Sequence, residues 1–485
     1  MNANKRVFLF IFSSLILYLI FSYINLAYHK SWEPFDRINL LSDIVKTDVP
    51  VIPKDSNYAS SDTKLAQIVS NEDSLKREDT VLRKEKVRPP TDSSRSKINK
   101  TAYALPASIS QTNIIAFSGD TAEVALKNFV DKLIALKNGE QVKVRIAYLG
   151  DSMIEGDLLS QTLRSLLQQA YGGKGVGFVP ITSQVAQFRQ TAISSSSEGW
   201  VDLNFKNTKR RNLFLSGHIF FSSGDDWVKV KDNTNKDTSV VIGKYLLYGV
   251  PTDSSYVLAN KKSIFLDKRA VFNRQLLLNN KEKSLMISTN DVGLPLYGLS
   301  FESDNGVIVD NFSFRGISGL EFGKLDTGFL QAINEFNPYD LVIFQYGVNV
   351  LYKPDDMNFS WYKRAAVPVI TKMKSCFSKA DFLIVGTGDR AFRYPEGYQS
   401  ALGIEALIKE QASLAKQTNS AFFSLYAAMG GKNSMVNWAT QSPSLANKDY
   451  VHPNALGARI LGKYLFEAIN RDVKKTRNVK QVDED

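Results

Sequence analysis

Residues Val144-Arg145-Ile146-Ala147-Tyr148-Leu149 read as a buried strand that runs without a spacer into Gly150-Asp151-Ser152. Beyond the serine, Ile154, Leu158, Leu159, Leu163, Leu166 and Leu167 recur at i+3 and i+4, the spacing of one apolar helix face. The chain is thereby committed to strand, tight turn and helix, with a serine on the turn. Upstream, Leu126, Phe129, Val130, Leu133 and Ile134 share one face of a helix predicted over Thr121–Leu136. Further on, the runs Val307–Val309, Leu341–Phe344, Phe382–Val385 and Ala421–Leu425 read as buried strands, and helical stretches at 362–378 and 402–417 separate the last of them. Alternating β and α units predict a parallel sheet covered on both faces, a three-layer α/β/α architecture. Sites in such sheets lie beyond the carboxyl ends of the strands. Ser152, Gly319, Asn349 and Asp389 all follow a strand.

One stretch breaks this pattern. From about Phe188 to Asp304, short apolar runs (Phe214–Leu215, Ile219–Phe221, Tyr245–Val250, Leu276–Leu278, Leu285–Ile287) alternate with Gly, Asn, Asp and Ser turns. That spacing predicts an inserted all-β module at 188–304. It splits the α/β domain into a first part, 113–187, and a second, 305–473, followed by a charged tail, 474–485.

The N-terminal region carries a different signal. Val7 to Ala27 hold 21 residues without a charge, almost all apolar, enough to span roughly 30 Å as a helix. Lys5 and Arg6 precede them, which sets residues 1–6 on the cytoplasmic side. The apolar run is long and no small-residue cleavage site follows, so the expectation is an uncleaved signal anchor. The rest of the chain would then lie outside the cytoplasm, facing the periplasm or the exterior. Residues 28–112 are rich in Ser, Asp, Lys and Thr without periodicity, which predicts a disordered linker with a reach on the order of 50 Å. The net charge of +11 suits acidic surfaces or polymers. No compact basic motif points to nucleic acid, and Lys209-Arg210-Arg211 reads as a solvated face. The single cysteine, Cys376, cannot form an internal disulfide. With three scattered histidines there is no metal-ligand spacing, and Gly172–Gly177 lacks the Gly-Lys-Ser/Thr ending of a phosphate loop. No metal or cofactor is expected.

Of the three histidines (His29, His218 and His452), only His452 has a carboxylate three residues upstream, Asp449, and a helix start directly after it. A hydroxyl is a weak nucleophile and needs a base. Asp449 can hold one imidazole nitrogen while the other faces Ser152. Placing Ser152 at a helix N-terminus would also direct backbone N–H groups and positive dipole at developing negative charge. Pro453 suits the first position of the next helix.

These residues resemble the SGNH, or GDSL, hydrolase superfamily. Gly150-Asp151-Ser152 resembles its first block and Asp449-x-x-His452 its last. Arg315-Gly316-Ile317-Ser318-Gly319 and Gly347-Val348-Asn349 resemble the two blocks between. The resemblance implies a flavodoxin-like α/β/α fold, nucleophile Ser152, base His452 and orienting Asp449. It also implies an oxyanion hole built from the Ser152 and Gly319 N–H groups and the Asn349 side chain, with Gly150, Asp151 and Gly347 in support. One departure is Val350, where the family has Asp.

The longer run Gly150 to Asp157, continuing through Leu163-Arg164 to Gly172–Phe178, resembles the peptidoglycan O-acetylesterase branch, which carries a β-sandwich like a carbohydrate-binding module between its first two blocks. Ser152 and Gly319 stand 167 residues apart (319 − 152), room for such a module. The segments Met429–Gly431 and Met435–Trp438 resemble loops lining the site in such proteins. The resemblance implies a membrane-anchored, metal-independent esterase that removes O-acetyl groups from cell-wall glycan. Two alternatives stay open: an O-acetyltransferase acting on an extracytoplasmic polysaccharide, and an inactive glycan-binding protein. Oligomeric state is not legible.

Overall fold

A computed structural model of the chain describes residues 113–117, 124–234, 237 and 239–484. The segments read as cytoplasmic tip, membrane anchor and linker (1–6, 7–27 and 28–112) lie outside the described residues. Among the described residues no helix is long and apolar enough to cross a membrane.

Five strands, β1 (Lys143–Gly150), β2 (Gly306–Ser313), β3 (Leu341–Gln345), β4 (Asp381–Gly386) and β5 (Ala421–Ser424), form one sheet in the order β2-β1-β3-β4-β5. Every pairing is parallel. Along β1 the side chains alternate between faces, as a strand's period of two requires. Ile146 and Tyr148 join the cluster made with helices α1 (Lys127–Lys137), α2 (Leu158–Tyr171) and α8 (Ala455–Glu484). Ala147 and Leu149 join the opposite cluster, made with α3 (Thr327–Phe336), α4 (Ser360–Cys376) and α5 (Ile404–Gln417). This is the expected three-layer arrangement. The strand order reverses direction at β1 and β3, and their carboxyl ends flank the switch point where such sheets place ligands. Two short helices, α6 (Leu425–Met429) and α7 (Ser434–Thr440), follow β5. The expected tail 474–485 is not a separate element, because α8 continues as helix through Glu484.

The β-rich stretch forms two antiparallel sheets. The first contains strands 201–204, 218–221, 242–248, 273–280 and 296–302. The second contains 192–196, 227–232, 256–259, 262–265 and 284–289. Their facing side chains, among them Phe220, Leu246, Leu299, Val228, Val257 and Ile287, share one apolar core. The other face of the first sheet is also buried along its central strands, 242–248 and 296–302. Phe214, Leu247, Phe272 and Tyr297 pack with Phe312 of β2 and Phe329 of α3. Phe214 and Phe272 stack at 5.5 Å, and Tyr297 meets Phe329 at 5.5 Å. Phe214–Leu215, expected as a strand, is an irregular segment whose side chains fill this layer. The boundary also shifts: Gly177–Val179, assigned from sequence to the first α/β segment, pairs antiparallel with 296–302.

A charge cluster joins the two parts. The Arg145 guanidinium of β1, 4% exposed, binds Glu302 at the end of the β-rich stretch and donates to Asp310 Oδ2 at 2.9 Å. Lys143 and Arg274 also reach Glu302. Burial pushes the Glu302 carboxyl up, but Arg145, Arg274 and Lys143 outweigh it and hold the group at about 2. A buried carboxylate with three cationic partners keeps its charge.

Candidate active site

The site is assembled from the carboxyl ends of β1, β2 and β3 and from the loop before α8. β1 ends at Gly150, where a Cβ would lie 2.8 Å from the Ile154 side chain and 3.2 Å from the Gln345 carbonyl oxygen. The next residue, Asp151, is 1% exposed. Its Oδ1 accepts the Met153 N–H at 3.0 Å, which closes the turn and presents Ser152 half-buried at its tip.

The regular helix does not begin at the serine. A 3₁₀ turn occupies Glu155–Asp157, Gly156 and Asp157 take left-handed backbone, and α2 starts at Leu158. The reason lies in Asp157. Its buried carboxylate accepts hydrogen bonds from Ser160 Oγ (2.5 Å), Arg164 Nη1 and Nη2 (2.7 and 2.9 Å) and Thr191 Oγ1 (2.5 Å), and this anchoring bends the chain before the helix can propagate. The expected helix-dipole contribution at Ser152 is therefore corrected: α2 begins six residues later (158 − 152), and dipole effects fall off within a turn.

Asp449 and His452 share one loop. Asp449 Oδ1 accepts the N–H groups of Val451 (2.9 Å) and His452 (3.1 Å). Its Oδ2 lies 2.7 Å from His452 Nδ1. The other ring nitrogen, Nε2, lies 2.8 Å from Ser152 Oγ. A carboxylate only accepts, so Nδ1 carries the proton, and Nε2 is left as the acceptor of the serine hydroxyl. Burial pushes the Asp449 carboxyl up, but the hydrogen bonds from the His452 ring and the two backbone N–H groups win and hold it below its ordinary value. Asp449 does not cap α8. That cap is Asn454, whose Oδ1 accepts the N–H groups of Leu456 and Gly457, which puts Pro453 just outside the helix rather than at its first position. Sequence reasoning missed the brace of this loop. Tyr450 stands at φ 57° and stacks on Tyr398 at 3.9 Å and 17°, while its carbonyl accepts the Ala391 N–H. Tyr398 and Ala391 belong to a hairpin, 391–394 with 397–400, whose register no local pattern announces.

The structure brings Gly319 and Asn349 to the same region. Gly319 sits at φ 86°, and a Cβ there would come within 2.3 Å of the Phe344 ring. Tyr362 holds the preceding loop by donating to the Ser318 carbonyl at 3.0 Å. Asn349 Nδ2 gives its hydrogens to Asp151 Oδ2 (3.2 Å) and to the Ile317 carbonyl (3.0 Å). Gly347, at φ 144°, has no room for a Cβ beside Thr387. Val350 is fully buried and donates its N–H to the Gly347 carbonyl, so it supports the loop by packing. Glu321 was also missed. Burial raises its carboxyl, against the backbone N–H groups of Glu321, Ser318 and Gly319 that it accepts. In this structure, then, the Asn349 amide and the Gly319 N–H both face protein acceptors.

Asp389 does not join the serine. Its Oδ2 accepts the Met435 N–H at 2.9 Å and fixes the start of α7. Met429 and Met435 are buried and Trp438 nearly so; they pack beneath the site with Met153. Among the described residues no cluster of His, Cys, Asp or Glu could hold a metal ion.

No family model matches this sequence, and no curated protein is significantly similar to it. Among solved structures, a peptidoglycan O-acetylesterase superposes with a TM-score of 0.64 at 19% identity, over 74% of this chain and 99% of the other. An acetyl xylan esterase from Geobacillus stearothermophilus matches at TM-score 0.25 and 18% identity, over 34% of this chain and 74% of the other. A family two carbohydrate esterase from Cellvibrio japonicus gives TM-score 0.25 and 9% identity, over 59% of this chain and 99% of the other. The first likeness establishes the fold; the other two superpositions are too partial to add to it.

Proposed function

We propose that this chain, whose fold is that of the SGNH hydrolases, is a membrane-anchored serine esterase that removes O-acetyl groups from a cell-wall glycan. The observation that carries the reading is the connected line Asp449–His452–Ser152, with contacts of 2.7 and 2.8 Å. Ser152 Oγ attacks the acetyl carbonyl as His452 Nε2 takes its proton, and Asp449 stabilises the imidazolium. The tetrahedral oxyanion draws on the N–H groups of Ser152 and Gly319 and on Asn349, whose amide exchanges the 3.2 Å contact with Asp151 for the substrate oxygen. Catalytic hydrogen bonds of this kind tighten in the reacting complex. His452 then gives the proton to the sugar oxygen as its bond to the acetyl carbon breaks, the sugar leaves as an alcohol, and water hydrolyses the acetyl-Ser152.

The substrate class rests on the fold likeness to a peptidoglycan O-acetylesterase. The apolar run Val7–Ala27 supports placing the domain in the periplasm or outside the cell. The test is acetate release by the purified protein, wild type against Ser152→Ala, on p-nitrophenyl acetate and O-acetylated peptidoglycan. Release from both, lost at least about 10³-fold in the variant, is expected. Activity on the small ester alone would refute the glycan substrate. No serine-dependent release from either would refute the esterase.

A further inference from the structure

A cavity of about 320 Å³ opens beside the turn that carries Ser152. Its floor is Glu155 and Gly156, just past the serine, together with Ser313–Arg315, just before Gly319. Its opposite wall comes from the β-rich stretch, through Asp202, Lys206, Ser216 and His218. The volume is that of a small-molecule site, which ranges over roughly 300–1,000 Å³.

The wall is built rather than accidental. His218 Nδ1 lies 2.8 Å from Asp202 Oδ1. The ring lies parallel to Phe220 (5.5 Å, 6°) and against Phe314 (4.9 Å). The carboxylate fixes the proton on Nδ1 and the two aromatic rings fix the plane. The orienting devices seen at His452 recur here, yet no serine hydroxyl meets the ring. Nε2 is left as the acceptor of a ring that lines the cavity, with no hydrogen-bond partner among the described residues. Nearby, Ser216 is 96% buried and lines the same cavity, and its hydroxyl has no hydrogen-bond partner among the described residues. An unsatisfied buried hydroxyl is costly, and a ligand hydroxyl or amide would relieve that cost. Lys206 lies over the Phe314 ring at 5.7 Å, and its Nζ approaches within 3.1 Å of a Cβ position at Gly316. The ionised side chains around the cavity balance: Glu155 faces Arg315, Asp157 faces Arg189, and Asp202 is matched by Lys206. A net-neutral lining of hydrogen-bonding groups suits a neutral polyhydroxylated ligand.

We propose that this cavity binds a pyranose unit of the polysaccharide, next to the unit whose O-acetyl group reaches Ser152, with His218 Nε2 and Ser216 Oγ bonding its hydroxyl or N-acyl groups. This deepens the esterase reading and rests on it for the identity of the chain bound. It assigns the β-rich stretch a direct part in substrate selection.

The test is binding of soluble, de-O-acetylated peptidoglycan fragments to the full chain carrying Ser152→Ala, by calorimetry, with and without His218→Ala. Asp202→Asn, which leaves the ring in place but alters its anchor, serves as the second variant, and melting temperature reports folding of each. A Kd raised about tenfold or more by His218→Ala, and raised to a lesser degree by Asp202→Asn, is expected. Unchanged Kd in both, or no binding by the parent, overturns the subsite. Acetate release by the wild type is measured in parallel. Release with His218-independent binding removes the subsite and leaves the esterase. His218-dependent binding without Ser152-dependent release removes the esterase and leaves the subsite.

Discussion

Asp151 is the residue whose replacement tests the electrostatic reading of the site most directly. Its carboxyl is buried at the end of β1. Burial is the largest influence on it and Glu155 pushes the same way, while the Met153 N–H, His452 and Asn349 oppose; the balance raises it from 3.8 to about 7. A group whose value is raised on folding stabilises the fold fully below its unfolded value and loses that contribution as pH climbs through the folded one. A rise from 3.8 to about 7 corresponds to about 4 kcal/mol in all, of which about 2–3 kcal/mol falls between pH 5 and pH 8. Asp151→Asn removes this dependence. The variant's own cost is to face an amide toward Asn349 Nδ2, on the order of 1–3 kcal/mol. That cost is independent of pH and drops out of the comparison. Urea unfolding of both proteins at several pH values is the assay. The stability difference, variant minus wild type, is expected to shift in the variant's favour by about 2–3 kcal/mol from pH 5 to pH 8. A difference constant to within about 1 kcal/mol over that interval would refute the argument that Asp151 is buried at the expense of its charge.

Two further outcomes follow from the geometry. Asp449→Asn keeps the loop's shape but removes the charge that stabilises the imidazolium and fixes the tautomer; kcat on p-nitrophenyl acetate should fall by about 10³–10⁴-fold with little change in melting temperature, and a loss under tenfold would count against the assigned role. Gly319→Ala forces a Cβ to within 2.3 Å of the Phe344 ring at φ 86°; it should lower stability by about 2 kcal/mol or more and depress kcat, read by calorimetry and the same ester assay.

Most of the α/β frame was legible because its strands are buried on both faces and read as continuous apolar runs. Ser152, Asp449 and His452 were legible because each sits at a punctuated place, a Gly-Asp-Ser turn or a lone histidine before a helix. What was not legible depends on distant partners. Gly177–Val179 is too short to announce a strand and becomes one only by pairing with residues over a hundred positions away. The late start of α2 was hidden because apolar periodicity carries through Ile154 and Leu158, whereas the break is imposed by the Asp157 carboxylate finding Arg164 and Thr191. The stack of Tyr398 on Tyr450 and the capture of backbone N–H groups by Glu321 are likewise tertiary choices that no single window of sequence encodes.

The central strands of the first antiparallel sheet, 242–248 and 296–302, have no free face, and that changes what kind of object the β-rich stretch is. It is a party wall, not an annexe. Excising 188–304 would strip Gly177–Val179 of its neighbour strand. It would lay Phe312 and Phe329 open to water and leave Arg145 with its guanidinium half answered once Glu302 lost its place beside it. A trimmed chain made by closing the gap would therefore inherit a damaged core. A swap of the β-rich stretch for another two-sheet module would succeed only if the rings and charges on both sides of the wall travelled together.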